Sequence, residues 1–293
     1  MYCPRLDHFA RINSDGTISR CGHMINPPGF KTLDEMENSE WLKQIKKSFD
    51  NDVWPKECLR CQEIEEQNLD SIRIHSLELD KNESGDYLQI GGVLDNVCNA
   101  ACMTCNPNCS TRIGALTSKS FPVVNNSDVY WSFPQERIRH LDINGGEPSY
   151  SKNYKKILDN LPPNLRTLRL NTNCNIVLEE LTEIAKQGIE VTVTVSCDGI
   201  GSVHELMRWP ITWDTFYTNL MKYKDMPVKL NLWTTVSRLN IDDLPNIQAF
   251  AKEHGIDHNY AYLKYPVELA IDNKDADLTS SYIEKQKQLR GIA

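Results

Sequence analysis

The sequence lacks the features that direct a chain to a membrane, a secretory route or a nucleic acid. No stretch approaches the roughly 18 apolar residues that span a bilayer. The start, MYCPRLDHFARIN, has no basic region followed by an apolar run. Basic residues are not in excess, because 32 Lys and Arg face 40 Asp and Glu, a formal net charge of −8. We therefore expect no membrane and no nucleic-acid partner, and a cytoplasmic location.

Cysteine, in contrast, is abundant, with ten in 293 residues. Disulfides are not expected in a reducing cytoplasm, so binding of a metal or a cluster is the leading interpretation. The polar run 79–86, LDKNESGD, separates an N-terminal group from a dense second group. This predicts a cysteine-rich module over 1–80, a main domain over 87–265 and a tail over 266–293. The two groups are Cys3, Cys21, Cys58 and Cys61, and then Cys98, Cys102, Cys105 and Cys109.

The main domain alternates β-prone runs with stretches that favour helices. Such alternation indicates βαβ units and a parallel sheet. We therefore predict an α/β fold, a partial (β/α)6 TIM-like barrel in which the loops after the strands carry the chemistry. The polar segment 272–293 predicts a loop and a short exposed helix. The six predicted strands are 87–94, 138–143, 165–170, 189–196, 228–236 and 258–265.

The loop CNAACMTC, residues 98–105, follows the first of these strands. Thiolates are the usual ligands of iron–sulfur clusters, and one irregular loop can supply three. Three ligands leave one iron of a four-iron cluster open, as a catalytic centre requires. The alternative is a zinc site in which Cys109 is the fourth ligand.

At this point the sequence resembles the radical S-adenosylmethionine (SAM) superfamily, over residues 87–265. Its signature of three cysteines matches Cys98, Cys102 and Cys105, although Thr104 stands where an aromatic residue is common. The resemblance implies a catalytic [4Fe-4S] cluster, SAM as cofactor and a 5′-deoxyadenosyl radical that takes a hydrogen atom from a substrate.

Three later strand ends extend the resemblance. NGGEPSY, residues 144–150, resembles the GGEP element, and glycines let the backbone approach a ligand closely. NTNCN and SCDGIGSVHELMRW resemble segments near the SAM ribose and carboxylate, and a guanidinium suits a carboxylate. An ordinary turn is the alternative for the asparagines. The implied cofactor-binding residues are Gly145, Gly146, Glu147, Asn173, Ser196, Asp198 and Arg208.

The N-terminal cysteines predict a closed site with four ligands. DGTIS, residues 15–19, indicates a hairpin turn, and Cys58 and Cys61 form a CxxC pair that can chelate from the first turn of a helix. The pattern, continued by Glu65, Ser71 and Arg73, resembles the SPASM or twitch modules that bind an auxiliary [4Fe-4S] cluster. Those modules usually follow the barrel, whereas here the cysteines precede it. The alternative is a structural zinc ion bound by the same four cysteines.

The resemblance also implies an external one-electron reductant, such as a flavodoxin or ferredoxin, and a peptide or protein side chain as substrate. Two other classes stay open: a zinc-stabilised binding module, and an electron-transfer protein with two clusters. Cys174 and Cys197 lie after predicted strands, where a thiol could return a hydrogen atom, but free cysteines are more often small buried hydrophobes. His140 and His204 are interpreted as structural.

Overall fold

The protein is described from a computed structural model that covers residues 1–117 and 121–292. The chain divides into two compact units, neither of which is continuous in sequence. The first contains 1–94, 125–143 and 160–166, and the second contains 95–124, 144–159 and the chain from 167 onward. Residues 1–80 lie wholly in the first unit, and the predicted boundary at 80–87 stays a prediction. Among the described helices, none is both long and apolar enough to cross a bilayer.

The sheet has eight strands in the order β2-β1-β3-β4-β5-β6-β7-β8 and is not closed. All six predicted strands are present, as β3 to β8, so the α/β class and the incomplete barrel are confirmed. The strands are β1 (Phe9–Ile12), β2 (Ile18–Ser19), β3 (Leu88–Val93), β4 (Ile138–Asn144), β5 (Thr167–Thr172), β6 (Glu190–Ser196), β7 (Lys229–Val236) and β8 (Asp257–Tyr262).

At least one helix lies between each two consecutive strands from β2 to β8. Short 3-10 helices also occur at Lys56–Cys58, Gln135–Arg137, Ile241–Asp243 and Val267–Leu269. The α-helices are α1 (Arg5–His8), α2 (Leu33–Asn38), α3 (Glu40–Asp50), α4 (Leu59–Glu66), α5 (Ile72–Asp80), α6 (Thr111–Thr117), α7 (Ser127–Trp131), α8 (Lys152–Asp159), α9 (Leu181–Lys186), α10 (Ser202–Met207), α11 (Trp213–Asp225), α12 (Leu244–His254) and α13 (Ala276–Arg290).

In the first unit, the predicted hairpin is present: β1 and β2 pair in antiparallel fashion, and Gly16 takes a positive φ of 81° in the turn. Strand β1 also pairs in parallel with β3, a pairing for which the sequence holds no local signal.

A helical layer covers an apolar core beside the N-terminal cysteines. Its buried residues are Leu6, Cys21, Met24, Leu42, Ile45 and Phe49.

In the second unit, β5 to β8 form a parallel array in chain order. Strand β6 illustrates why these segments form strands. Its residues Val191, Val193 and Val195 are buried on one face, and β-branched side chains suit a packed sheet. The alternate residues, ending in Ser196, lie on the other face. Because the strands are parallel, their carboxyl ends share one edge, where ligands bind in such sheets.

The C-terminal segment differs from its prediction. Instead of a short exposed helix, α13 has 15 residues and buries Thr279 and Arg290. The Asp275 side chain accepts a hydrogen bond from the Leu278 amide and caps its start, and Gly291, with φ 66°, ends it in the left-handed conformation. The predicted helix is therefore present, but it is longer than expected and partly buried, and only two of its residues are buried, so the polar sequence gives little sign of the burial.

Candidate functional site

One cavity of the second unit, with a volume of about 320 Å³, brings together most of the predicted site residues. It lies beside the carboxyl ends of β5, β6 and β7, where Asn171, Ser196 and Thr235 line it. Asp198 does not line this cavity; it lies behind Arg208. The predicted residues that do line it are Cys98, Cys102, Cys105, Gly145, Gly146, Glu147, Asn173, Ser196 and Arg208.

The loop with the three cysteines is fixed by the segment that begins α6. The Ser110 hydroxyl donates to the Ala100 carbonyl at 2.7 Å, and the Cys98 amide donates to Thr111 Oγ1 at 3.2 Å. The Arg112 guanidinium donates to the Asn99 carbonyl at 3.0 Å. An irregular loop has no regular backbone hydrogen bonds of its own. These three residues therefore supply hydrogen-bond partners for its backbone groups and fix the direction of the thiols.

The thiols of this loop are held neutral in the absence of a metal. Burial raises the pKa of Cys98 to about 12, and burial also raises the pKa of Cys102, against the opposing charge of Arg208. The pKa of Cys105 is raised by its hydrogen bond with Cys109 and by burial. Only thiolates bind metal, so loading this site releases protons and becomes more favourable as pH rises.

Gly145 and Gly146 are required by the backbone that they pack against. A Cβ on Gly146 would lie 2.0 Å from the Val97 carbonyl oxygen, and one on Gly145 would lie 2.5 Å from the Asp95 oxygen. The Gly146 amide donates to the Asp95 carbonyl at 2.9 Å. The pair therefore seats the start of the cysteine loop as well as lining the cavity.

Glu147, which follows the glycine pair in the sequence, is hydrogen-bonded to the end of β5. It is 1% exposed, and burial raises the pKa of its carboxyl. Its carboxylate accepts hydrogen bonds from Thr172 Oγ1 at 2.7 Å and from the Asn173 amide at 2.6 Å. Asn173 in turn donates to Asn99 Oδ1 at 2.8 Å. Much of the hydrogen-bonding capacity of Glu147 and Asn173 is thus used inside the protein, where it fixes the cavity wall.

Arg208 lines the cavity and forms an ion pair with Asp198. Its Nε lies 2.7 Å from Asp198 Oδ2, and Asp198 is 0% exposed. The other end of the guanidinium donates to Cys102 Sγ at 3.6 Å. Asp198 Oδ1 accepts from the Thr235 amide at 2.8 Å, which fixes the carboxylate on β7. Asp198 therefore orients Arg208 toward the cysteines and the cavity.

Several residues that were not predicted to bind the cofactor also line the cavity: Thr104, Asn106, Asn144, Asn171, Thr172 and Thr235. Cys109, predicted only as the fourth ligand of the alternative zinc site, lines it too. Asn144, Asn171 and Thr235 stand near the ends of predicted strands, a position that could have identified them. Arg290, which contacts the cysteine loop from the C-terminal helix, has no sequence signal of this kind.

A second cavity, in the first unit, is lined by all four N-terminal cysteines. It has a volume of about 20 Å³, room for about one water-sized group. In the described part of the chain, no three His, Cys, Asp or Glu side chains are grouped to hold a single metal ion. The cysteines are Cys3, Cys21, Cys58 and Cys61, and Arg5, His23, Trp54 and Arg73 also line the cavity.

The contacts around these cysteines suit bound thiolates. The His23 amide donates to Cys21 Sγ at 3.4 Å, and hydrogen bonds from the Arg73 amide and the Ser71 hydroxyl act to lower the pKa of Cys61, although burial raises it overall. Burial, with the other thiols contributing, raises the pKa of Cys3 to about 12. Glu65 accepts from Arg73 Nε at 3.0 Å and from the Ser71 hydroxyl at 2.5 Å. This network ties the predicted Glu65, Ser71 and Arg73 to one sulfur.

The remaining cysteines do not face the large cavity. Cys174 and Cys197 are both 0% exposed, and their thiols contact backbone carbonyls, those of Phe216 at 3.8 Å and Gly199 at 3.5 Å. Neither lines the cavity that the cluster loop borders. The interpretation as small buried hydrophobes fits these positions better than hydrogen-atom return.

His204 gives a prediction for pH dependence. It is fully buried against Phe216, with ring centroids 4.1 Å apart, and burial, aided by Arg208, lowers its pKa to about 3. An unfolded histidine titrates near 6.5, so stability is fully present above pH 6.5 and is lost as pH falls toward 3. At pH 5 we expect a cost of roughly 2 kcal/mol.

The matched variant is His204→Phe, which keeps a ring in the aromatic cluster and cannot be protonated. Urea unfolding at pH 7 and pH 5 should show a smaller loss of unfolding free energy for the variant than for the unsubstituted protein, by about 2 kcal/mol. An equal loss in both proteins would show that His204 is not the responsible group.

No family model and no curated protein matches this chain. Solved structures do resemble it. Streptococcus suis SuiB bound to the precursor peptide SuiA is 15% identical, with a TM-score of 0.48 over 98% of this chain and 70% of that chain. Native anSMEcpe with bound AdoMet is 15% identical, with a TM-score of 0.47 over 69% of this chain and 61% of that chain. At these scores the likeness supports no statement about what this chain binds.

Proposed function

We propose that this chain is a radical SAM enzyme. The observation that carries the proposal is the convergence of Cys98, Cys102 and Cys105 with the GGEP segment and Arg208 on one cavity of about 320 Å³. These elements lie up to 110 residues apart in the sequence, and each matches a separate part of the resemblance. An arrangement of ordinary turns gives no reason for them to meet.

The residues present fit a cluster with three protein ligands. Three thiols from one loop supply the donors, and the Arg208 guanidinium donates a hydrogen bond to one of them, Cys102 Sγ. A [4Fe-4S] cluster held by these residues would, when reduced, supply the electron that cleaves SAM to methionine and a 5′-deoxyadenosyl radical for hydrogen-atom abstraction. The protein's part is to bind, to orient and to exclude water.

Each wall of the cavity has a task in this proposal. Gly145 and Gly146 present backbone to the SAM amino group, and Arg208, oriented by Asp198, faces its carboxylate. Asn173 and Ser196, at the ends of β5 and β6, face the ribose side. Glu147 holds the Asn173 backbone in place.

The N-terminal cysteines are proposed to hold a second, auxiliary [4Fe-4S] cluster. Four thiols around one cavity form a closed site, and the hydrogen bonds to Cys21 and Cys61 suit cluster sulfurs. The same donors suit structural zinc. Metal analysis tests this part of the proposal: iron with acid-labile sulfide at two clusters per chain supports it, and one cluster together with one zinc per chain contradicts it.

The resemblance also implies further partners. A flavodoxin or ferredoxin would supply the electron, and a peptide or protein side chain would be the substrate. The location in the cytoplasm stays a prediction.

The second candidate is a zinc-stabilised binding module without radical chemistry. One observation favours it: Cys109 lines the same cavity and hydrogen bonds with Cys105, so a fourth thiol is close. A closed site with four thiolates would leave no open coordination position.

The test begins with anaerobic reconstitution with iron and sulfide, reduction with dithionite and addition of SAM. Cluster absorbance together with 5′-deoxyadenosine supports the radical SAM proposal. A colourless protein that holds stoichiometric zinc and forms no 5′-deoxyadenosine would leave the binding module.

A further inference from the structure

We propose that Arg290, the last residue of α13, positions the cluster-binding loop and places a positive charge that makes the catalytic cluster easier to reduce. The inference rests on the proposed function, because it concerns the cluster at Cys98, Cys102 and Cys105. It assigns a role to a C-terminal helix that none of the sequence motifs includes. All the residues involved belong to the second unit.

The Arg290 guanidinium forms a fork over the cysteine loop. Its Nε donates to the Ala101 carbonyl at 2.7 Å, and its Nη2 donates to the Cys102 carbonyl at 3.0 Å. Its Nη1 donates to the Gln286 carbonyl at 2.8 Å and to Gln286 Oε1 at 2.6 Å, which fixes its orientation. The residue is 6% exposed. Such planar, multiple donation is specific to arginine.

These bonds complete the support of the loop. On one side its amides donate to other backbone, Ala101 to the Trp209 carbonyl at 2.8 Å and Met103 to the Met207 carbonyl at 2.9 Å. On the other side its carbonyls accept from Arg290. Without the guanidinium, these two carbonyls would lose a hydrogen-bond donor and the loop would lose its support on this side.

Apolar packing brings α13 to this position. Met103, Met207 and Leu269 form a buried cluster, and Tyr282 and Ile283 of α13 pack against it. The Tyr282 hydroxyl donates to the Met103 carbonyl at 3.5 Å. The helix is therefore docked by its middle turns, and Arg290 is held over the cysteines by its last turn.

Among the described residues, the charge of Arg290 has no ion-pair partner. Arg208 is neutralised by Asp198 at 2.7 Å, but within 1–117 and 121–292 no acidic side chain forms an ion pair with Arg290. A guanidinium stays protonated in a protein, and a buried charge is costly unless an opposite charge compensates it. Three thiolates and the cluster they bind would supply that negative charge. A cation near a cluster stabilises its reduced, more negative state.

The test uses the full chain in three variants: Arg290→Met removes the charge and the fork, Arg290→Lys keeps the charge, and Lys285→Met is the control. Lys285 is exposed on the same helix, so its variant changes the net charge equally. The readouts are iron retention in a chelator and a redox titration by electron paramagnetic resonance. The titration follows the signal that changes when SAM is added, which marks the cluster with the open iron.

For Arg290→Met we expect about a tenfold lower ratio of reduced to oxidised cluster at a fixed potential, a shift of about 59 mV for one electron. Faster iron loss should accompany it. Arg290→Lys should keep the potential and lose iron faster, because it lacks the fork. Lys285→Met should match the unsubstituted protein in both readouts.

A midpoint potential and iron retention in Arg290→Met equal to those of the unsubstituted protein would overturn the inference. If circular dichroism shows that Arg290→Met is unfolded, Arg290→Lys decides, and iron retention equal to that of the unsubstituted protein would overturn the positioning role. Absence of any cluster in the unsubstituted protein would instead reject the proposed function, before any variant is compared.

Discussion

Replacing Cys102 with alanine is expected to abolish 5′-deoxyadenosine formation and to remove the signal of the SAM-responsive cluster. Cys102 is 7% exposed in the cavity, between Cys98 and Cys105 in sequence and beside Arg208 in space. Two thiols from this loop are too few for a stable cluster. The loss should exceed the roughly 10–100-fold cost of removing an outer-shell partner of a metal. Product is measured by chromatography after reconstitution, with iron counted in the same sample.

The matched control is Cys109→Ala. Cys109 lines the same cavity and hydrogen bonds with Cys105, but an open cluster does not need it as a ligand. We therefore expect this variant to keep its iron and its product. Loss of metal from Cys109→Ala, equal to that from Cys102→Ala, would instead point to a closed site with four thiolates. The pair of variants thus separates the catalytic cluster from the zinc site and from a closed electron-transfer cluster.

Replacing Arg208 with methionine is expected to destabilise the fold by about 3–5 kcal/mol, the range found when one partner of a buried ion pair is removed. Asp198 is 0% exposed, so its carboxylate would stay buried without the cation 2.7 Å away. The Asp198 carboxylate would then keep only the hydrogen bond that its Oδ1 accepts from the Thr235 amide. The measurement is urea unfolding of the reconstituted protein.

The double variant Asp198→Asn with Arg208→Met is the informative comparison. It removes both charges, and an asparagine can still accept from the Thr235 amide, so we expect it to be more stable than Arg208→Met alone. If the double variant loses as much stability as the single variant, the loss comes from packing and not from an unpaired charge. Activity is not the readout here, because Arg208 faces the proposed cofactor site.

Local patterns in the sequence were sufficient for the strands and for the motifs. Alternating β-branched residues predict β6 because period two is a property of any extended chain, and the structure has that strand at Glu190–Ser196. Cys98, Cys102 and Cys105 share one loop, so their spacing alone indicates a common site. The pairing of β1 with β3 left no such trace, since four residues of β1 are too few to show a period.

The α/β class and the six strands of the open sheet could therefore be predicted before the fold was known, and so could the grouping of Cys98, Cys102 and Cys105 on one loop, because each depends on neighbours within a few positions. Long-range contacts could not. The fold placed Asp198 behind Arg208 instead of on the cavity wall, set the backbone of Gly146 against Val97, and brought Arg290 to Cys102 across 188 residues. Contacts at such separations are chosen by packing of apolar faces and by pairing of buried charge, and these depend on the whole fold.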